Sequence, residues 1–160
     1  MKIIFVIIAV VVALVAIFLF LRSRVVEDIP IRVNQISAVV AQLKATGRDE
    51  VLCRVFVSAP GSPPQDDGQR VNLQFSIDKG RLGLDWVLLS DQNIADEAKI
   101  AQFIKEQGFA VNKLDENGVN YLRVEDGDIV DLGIKIATKF YRLNESDQID
   151  MIVDSFDWKT

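Results

Sequence analysis

Residues 71–88 read VNLQFSIDKGRLGLDWVL, two runs of alternating apolar and polar residues on either side of a short turn. Val71, Leu73, Phe75 and Ile77 are separated by Asn72, Gln74 and Ser76, and the pattern resumes at Leu82, Leu84, Trp86 and Leu88. A period of two marks a strand with one buried face, and Asp78-Lys79-Gly80-Arg81 supplies the turn of an antiparallel hairpin.

Downstream, Ile94, Ala98, Ala101 and Ile104 recur at helical spacing and predict a helix over 94–107, ended by Gly108. Residues 109–114 and 119–124 predict a second hairpin, because Asn117-Gly118 suits a tight two-residue turn. A helix over 129–143 follows, capped by Asp126 or Asp128, with Ile129, Leu132, Ile136 and Phe140 inward. Residues 148–156 predict the last strand. Upstream, Val51, Cys53, Val55 and Val57 share one face of a strand over 51–58, and the Pro/Gly/Asp-rich segment 59–70 predicts a long loop. Asp28 suits the cap and Pro30 the first turn of a helix whose inward residues are Ile29, Val33, Ile36, Val40 and Leu43, with Gly47 as its stop. The order α-β-β-β-α-β-β-α-β predicts an α+β domain: a mostly antiparallel sheet covered by helices.

Over Val71–Leu143 this order resembles the type III secretion chaperone-like fold. The stretch holds a hairpin, LDWVLLSDQNIADEAKIAQFIKEQG, the hairpin around ENG and a helix ending KFYRL. The resemblance implies a module that binds an extended segment of another protein, and it transfers no specific site. The chain departs from the pattern by its apolar N-terminal run and an extra final strand, QIDMIVDSF.

Residues 3–21, IIFVIIAVVVALVAIFLFL, are nineteen residues without charge, Gly or Pro. As a helix they would extend roughly 28 Å, close to the ~30 Å hydrocarbon core of a bilayer. The run is longer than the roughly 7–15 apolar residues of a cleaved signal peptide. The expectation is therefore an N-terminal transmembrane helix, with 1–24 as anchor and basic flank and 25–160 as a soluble acidic domain. Arg22, Arg24 and Arg32 follow the run and only Lys2 precedes it, which predicts a single-pass cell-membrane protein with its domain on the cytoplasmic side. A lone cysteine, Cys53, fits a reducing compartment.

The chain carries 18 basic and 23 acidic residues, and every acidic residue lies within 25–160 together with 15 of the basic ones, leaving that segment at −8. Such a surface repels phosphate backbones, so nucleic acid is excluded and a basic protein partner favoured. The chain has no histidine, which removes Ser–His–Asp and Cys–His catalysis and Cys/His zinc sites. Gly80 and Gly83 sit between strands, not ahead of a helix, and make no phosphate loop. Cys53 reads as a core residue on the apolar face of its strand. Glu125, Asp126, Asp128 and Asp131 read as helix capping, Asp66-Asp67-Gly68 as a turn, and Asp150 with Asp154 as a solvated strand face. Trp86 reads as core, and Trp158 as packing back on the domain.

No catalytic, cofactor-binding or metal-binding residue is assigned. The expected function is a membrane-anchored protein-binding module without catalytic activity: an accessory subunit, chaperone-like or immunity-type protein. The alternative is a carboxylate- and metal-dependent enzyme centred on Asp150 and Asp154 or on Asp126 and Asp128. The sequence leaves the oligomeric state open.

Overall fold

A computed structural model describes residues 28–46, 48–57, 70–154, 156 and 158. Among them, seven strands form one antiparallel sheet in the order β1-β7-β2-β3-β4-β6-β5. The strands are β1 (Ile29–Arg32), β2 (Leu52–Val57), β3 (Val71–Asp78), β4 (Arg81–Val87), β5 (Asn112–Glu116), β6 (Val119–Val124) and β7 (Gln148–Asp154). The helices are α1 (Ile36–Ala45), α2 (Asp91–Glu106) and α3 (Ile129–Lys135), the last continuing as a π-helical turn, Ile136–Phe140.

The 71–88 hairpin forms as its alternation requires, with Asp78 opposite Arg81 and Phe75 opposite Leu84. Lys79 (φ 50°) and Gly80 (φ 73°) both adopt the positive φ of the turn that matches strand twist, and Asn117 (φ 54°) and Gly118 (φ 82°) repeat it between β5 and β6. Cys53, Phe75, Leu84 and Val124 align across four neighbouring strands, and this face carries the core. All three helices cover it. α1 buries Ile36, Val39, Val40 and Leu43, α2 buries Ile100 and Ile104, and α3 buries Ile129 and Leu132. Gly133 lets α3 approach so closely that an added Cβ would lie 2.6 Å from Phe75 Cζ.

Three expectations are corrected. The first element is a strand, not the start of a helix. Ile29 and Ile31 pair with Met151 and Ile149 of β7, and the helix begins only at Ile36. Pro30 suits an edge strand for the same reason that it suits a helix start, since its missing N–H needs no partner in either place. Asp28 does not cap a helix but accepts a 2.7 Å bond from Arg70 Nη1. Second, α2 begins at Asp91 with Ser90 as its cap, which turns Asn93 and Asp96 inward and leaves Ile94 52% exposed.

The third correction concerns the membrane. No helix among the described residues is long and apolar enough to cross a bilayer. The longest, α2, has 16 residues and carries Asp91, Asp96, Glu97, Lys99, Lys105 and Glu106. It is about 24 Å long against a ~30 Å hydrocarbon core. The N-terminal transmembrane helix is thus no part of the described fold, and the single-pass cell-membrane localisation with its membrane partner is not supported. Residues 3–21 themselves, the basic flank at 22–24, the Gly47 stop and almost all of the 59–70 loop, Asp66-Asp67-Gly68 included, lie outside the described residues.

Candidate functional site

With the helices on one face, the other face of the sheet carries the side chains that alternate with the core. Its central row is Arg123, Asp85, Gln74 and Arg54, each opposite the next on adjacent strands. Arg123 Nη1 donates to Asp85 Oδ1 at 2.7 Å and to Ser76 Oγ at 2.9 Å, and Ser76 donates to Asp85 Oδ2 at 2.6 Å. Arg123 Nε donates to Glu125 Oε1 at 2.7 Å, and Arg81 Nη1 holds Glu125 Oε2 at 2.8 Å. Asp85 and Arg123 are only 2% and 4% exposed. The Arg123 guanidinium occupies the space that a side chain at Gly83 would need, so glycine is what lets it lie flat on β4. Its Nη2 is a buried donor without a partner among the described residues.

Burial pushes the Asp85 carboxyl up from the usual carboxylate range, while Ser76 and Arg123 pull it back down. Burial also opposes the Arg123 charge, but Asp85 and Glu125 outweigh it and raise the guanidinium further. The 2.7 Å contact favours the ionised pair at neutral pH. Hydrogen bonding from Arg123 holds Glu125 below the usual range.

Glu125 therefore stabilises the fold in a pH-dependent way. A depressed folded-state pKa gives stability that is full above the unfolded value of about 4.3 and is lost as pH falls through the folded value. Urea midpoints for Glu125→Gln should lie below wild type at pH 6 and converge with it as pH falls through the depressed folded value. A gap that persists in acid would mean that the carboxylate charge is not what matters.

This face forms an open groove of about 830 Å³. Besides the polar row, Val87, Leu89, Leu114, Val119 and Tyr121 line it at the β4–β6–β5 end. Leu89 is 62% exposed and Leu114 39% exposed, two of the three exposed large aliphatic side chains among the described residues, Ile94 being the third. Leaving out Asp115, whose side chain lies on the helix side of β5, the charged lining residues are Glu50, Asp78, Asp85 and Glu116 against Arg54, Lys79 and Arg123, four acidic to three basic. Further along the same face, Arg70 lies 3.7 Å above the Phe56 ring and bonds Asp28 and Asp150 at 2.7 and 3.1 Å.

The acidic residues singled out in the sequence are scattered. Asp150 is held by Arg70, whereas Asp154 stands opposite Leu52, four residues along β7. Asp128 caps α3 through the Asp131 N–H at 3.0 Å, and Asp131 pairs with Lys135. Glu125, expected among the caps, instead belongs to the Arg123 cluster. Among the described residues no group of three or more metal-ligating side chains converges. Cys53 is fully buried on the helix side, and burial pushes its thiol up to about 12. Trp86 lies in the core, donating its indole N–H to the Asn93 carbonyl at 2.9 Å, and Trp158 packs against the core's margin.

Asp85, Arg123, Leu89 and Leu114 were not singled out by the sequence. Alternation places Asp85 and Arg123 opposite the core, where isolated charges read as solvated, and only the register shows that they face each other.

No protein-family model matches this chain, and neither a curated protein nor a solved structure matches it.

Proposed function

We propose that this domain is a protein-binding module whose partner lies on the helix-free face of the sheet. The carrying observation is the roughly 830 Å³ groove in which Leu89 and Leu114 stand exposed beside an anchored polar row. Apolar side chains next to fixed polar groups suit a polypeptide, which needs both contact area and hydrogen-bond partners. The small acidic excess of the lining, four to three, together with the net charge of −8 over residues 25–160, favours a basic partner segment. The resemblance to the type III secretion chaperone-like fold, whose members wrap an extended segment, supports the same reading.

Leu89 and Ile94 offer a matched test, both being exposed aliphatic residues, one inside the groove and one on α2 outside it. Full-length protein carrying Leu89→Asp or Ile94→Asp is recovered with its bound proteins from the cells that make it, and the bound proteins are quantified by mass spectrometry. A partner retained by Ile94→Asp, reduced about tenfold by Leu89→Asp, and weakened by added salt supports the reading. Retention by Leu89→Asp with loss in Ile94→Asp would contradict it.

A further inference from the structure

The two edges of the sheet are chemically unlike. In β1, Ile29 and Ile31 are the residues whose N–H and C=O groups face β7, a phase fixed by the 3.1 Å bond from Val33 N–H to the Asp147 carbonyl further along the same ladder. The outward positions are therefore Pro30 and Arg32. Proline has no N–H, and the Arg32 N–H is taken by Gln35 Oε1 at 2.8 Å. Neither outward position of β1 can donate to another strand.

The β5 edge lacks this protection. Leu88 N–H bonds the Asn120 carbonyl, so Asn120 and Leu122 face β4, and Val119, Tyr121 and Arg123 face β5. Their partners Glu116, Leu114 and Asn112 spend their backbone groups on β6. Lys113 and Asp115 consequently direct theirs away from the sheet. All five β5 residues are exposed.

The sequence of this strand, Asn112-Lys113-Leu114-Asp115-Glu116, is self-complementary about Leu114. Two copies laid antiparallel with a two-fold axis at Leu114 place Lys113 opposite the partner's Asp115, twice. Both are outward-facing positions, so the same register forms the backbone bonds and the ion pairs. Lys113 and Asp115 lie on the helix side, where Lys113 already meets Glu97 and Asp115 Oδ1 takes the Gly118 N–H. Leu114 lies on the groove side and meets its own copy at a close, non-hydrogen-bonded position. Edge lysines ordinarily discourage strand pairing. Here the lysine faces an aspartate only when the partner is a second copy of this chain.

We infer that the chain forms a two-fold homodimer by β5–β5 pairing centred on Leu114, which extends the sheet across both copies and joins their grooves. The backbone bonds and the Lys113–Asp115 pairs form outside the groove, and Leu114, at the centre of the contact, is shared between it and the groove lining. Five residues per copy make a small interface, below the roughly 1,200 Å² of stable complexes, so monomer and dimer exchange with concentration.

Single-cysteine crosslinking in full-length protein tests this, because Cys53 is buried and its thiol is suppressed. Directly opposed non-hydrogen-bonded residues lie about 4.5 Å apart between Cα atoms, within disulfide range. Leu114→Cys is expected to form dimers under mild oxidation. Asn112→Cys and Glu116→Cys are each expected to stay monomeric alone and to crosslink when the two chains are mixed. Within Leu114→Cys, adding Lys113→Glu should reduce crosslinking about tenfold, as two attractive cross-strand pairs become repulsive. Adding Lys113→Asp together with Asp115→Lys should restore it. Equal crosslinking at all three positions, no crosslinking at Leu114→Cys, or no rescue by the charge swap would overturn the dimer.

Discussion

Replacing Asp85 by alanine is expected to destabilise the protein by about 3–5 kcal/mol, a large part of the roughly 5–15 kcal/mol that holds a domain of this size. The carboxylate accepts from Arg123 and Ser76 at 2.7 and 2.6 Å, and both charged partners are almost completely buried. Its loss leaves the Arg123 cation in a desolvated position with Glu125 as its remaining counter-charge. Arg123→Met should cost a similar amount, because Asp85 then stays buried with only the neutral support of Ser76 and Gln74. The double variant Asp85→Leu/Arg123→Met removes both charges together and should lie close to wild type or above it. Urea unfolding of wild type, Asp85→Leu, Arg123→Met and this double variant closes the cycle and measures the coupling directly. An Asp85→Ala variant within about 1 kcal/mol of wild type would show that the pair is solvated and that the open face lacks the rigidity assigned to it.

The second large effect is expected at Asn93, which the sequence does not distinguish from any other residue near a helix start. The β3–β4 ladder reaches Gln74 opposite Asp85, and Asn72 lies beyond it. There the Asn93 side chain replaces a strand. Its Oδ1 accepts the Asn72 N–H at 3.1 Å, and its Nδ2 donates to the Asn72 carbonyl at 3.0 Å. Ser90 caps α2 through the Asn93 N–H and donates to the same Oδ1 at 2.9 Å. Asn93→Leu keeps the volume but leaves two buried backbone groups of β3 without partners. At about 1–3 kcal/mol each, the expected loss is roughly 2–5 kcal/mol. The amide hydrogen of Asn72 should also exchange far faster than those of its β3 neighbours. Unchanged stability and unchanged protection would mean that water replaces the side chain, and that Asn93 does not tie α2 to the sheet.

The 71–88 hairpin was readable because it alternates strictly, and the second because Asn117-Gly118 marks its turn; lacking alternation, the strand of the latter expected over 109–114 lies instead at Asn112–Glu116. The core faces of α1 and α3 followed from spacing. The inward face of α2 did not, because polar Asn93 and Asp96 occupy it. Asp96 is a buried carboxylate bonded by Gln92, Lys99 and the hydroxyl of Tyr141, whose ring stacks on Trp86. The π-helical turn after α3, closed by Tyr141 N–H on the Ile136 carbonyl, brings that ring into place and has no marker in the residue pattern. β1 was misread because Pro30 fits a helix start and an edge strand equally well. The open face was invisible for a different reason. Its row of Arg54, Gln74, Asp85 and Arg123 comes from four strands spread along the chain, and only the register assembles it.

The measurement that bears most directly on the partner-binding face is site-specific photocrosslinking in the cells that make the protein. A photoreactive phenylalanine analogue is placed at Leu89 or Tyr121, in the groove, or at Lys139, exposed on the helical side. The account predicts a discrete adduct with a second polypeptide from both groove positions and none from Lys139. An adduct from Lys139 alone, or no protein adduct from either groove position, would contradict it.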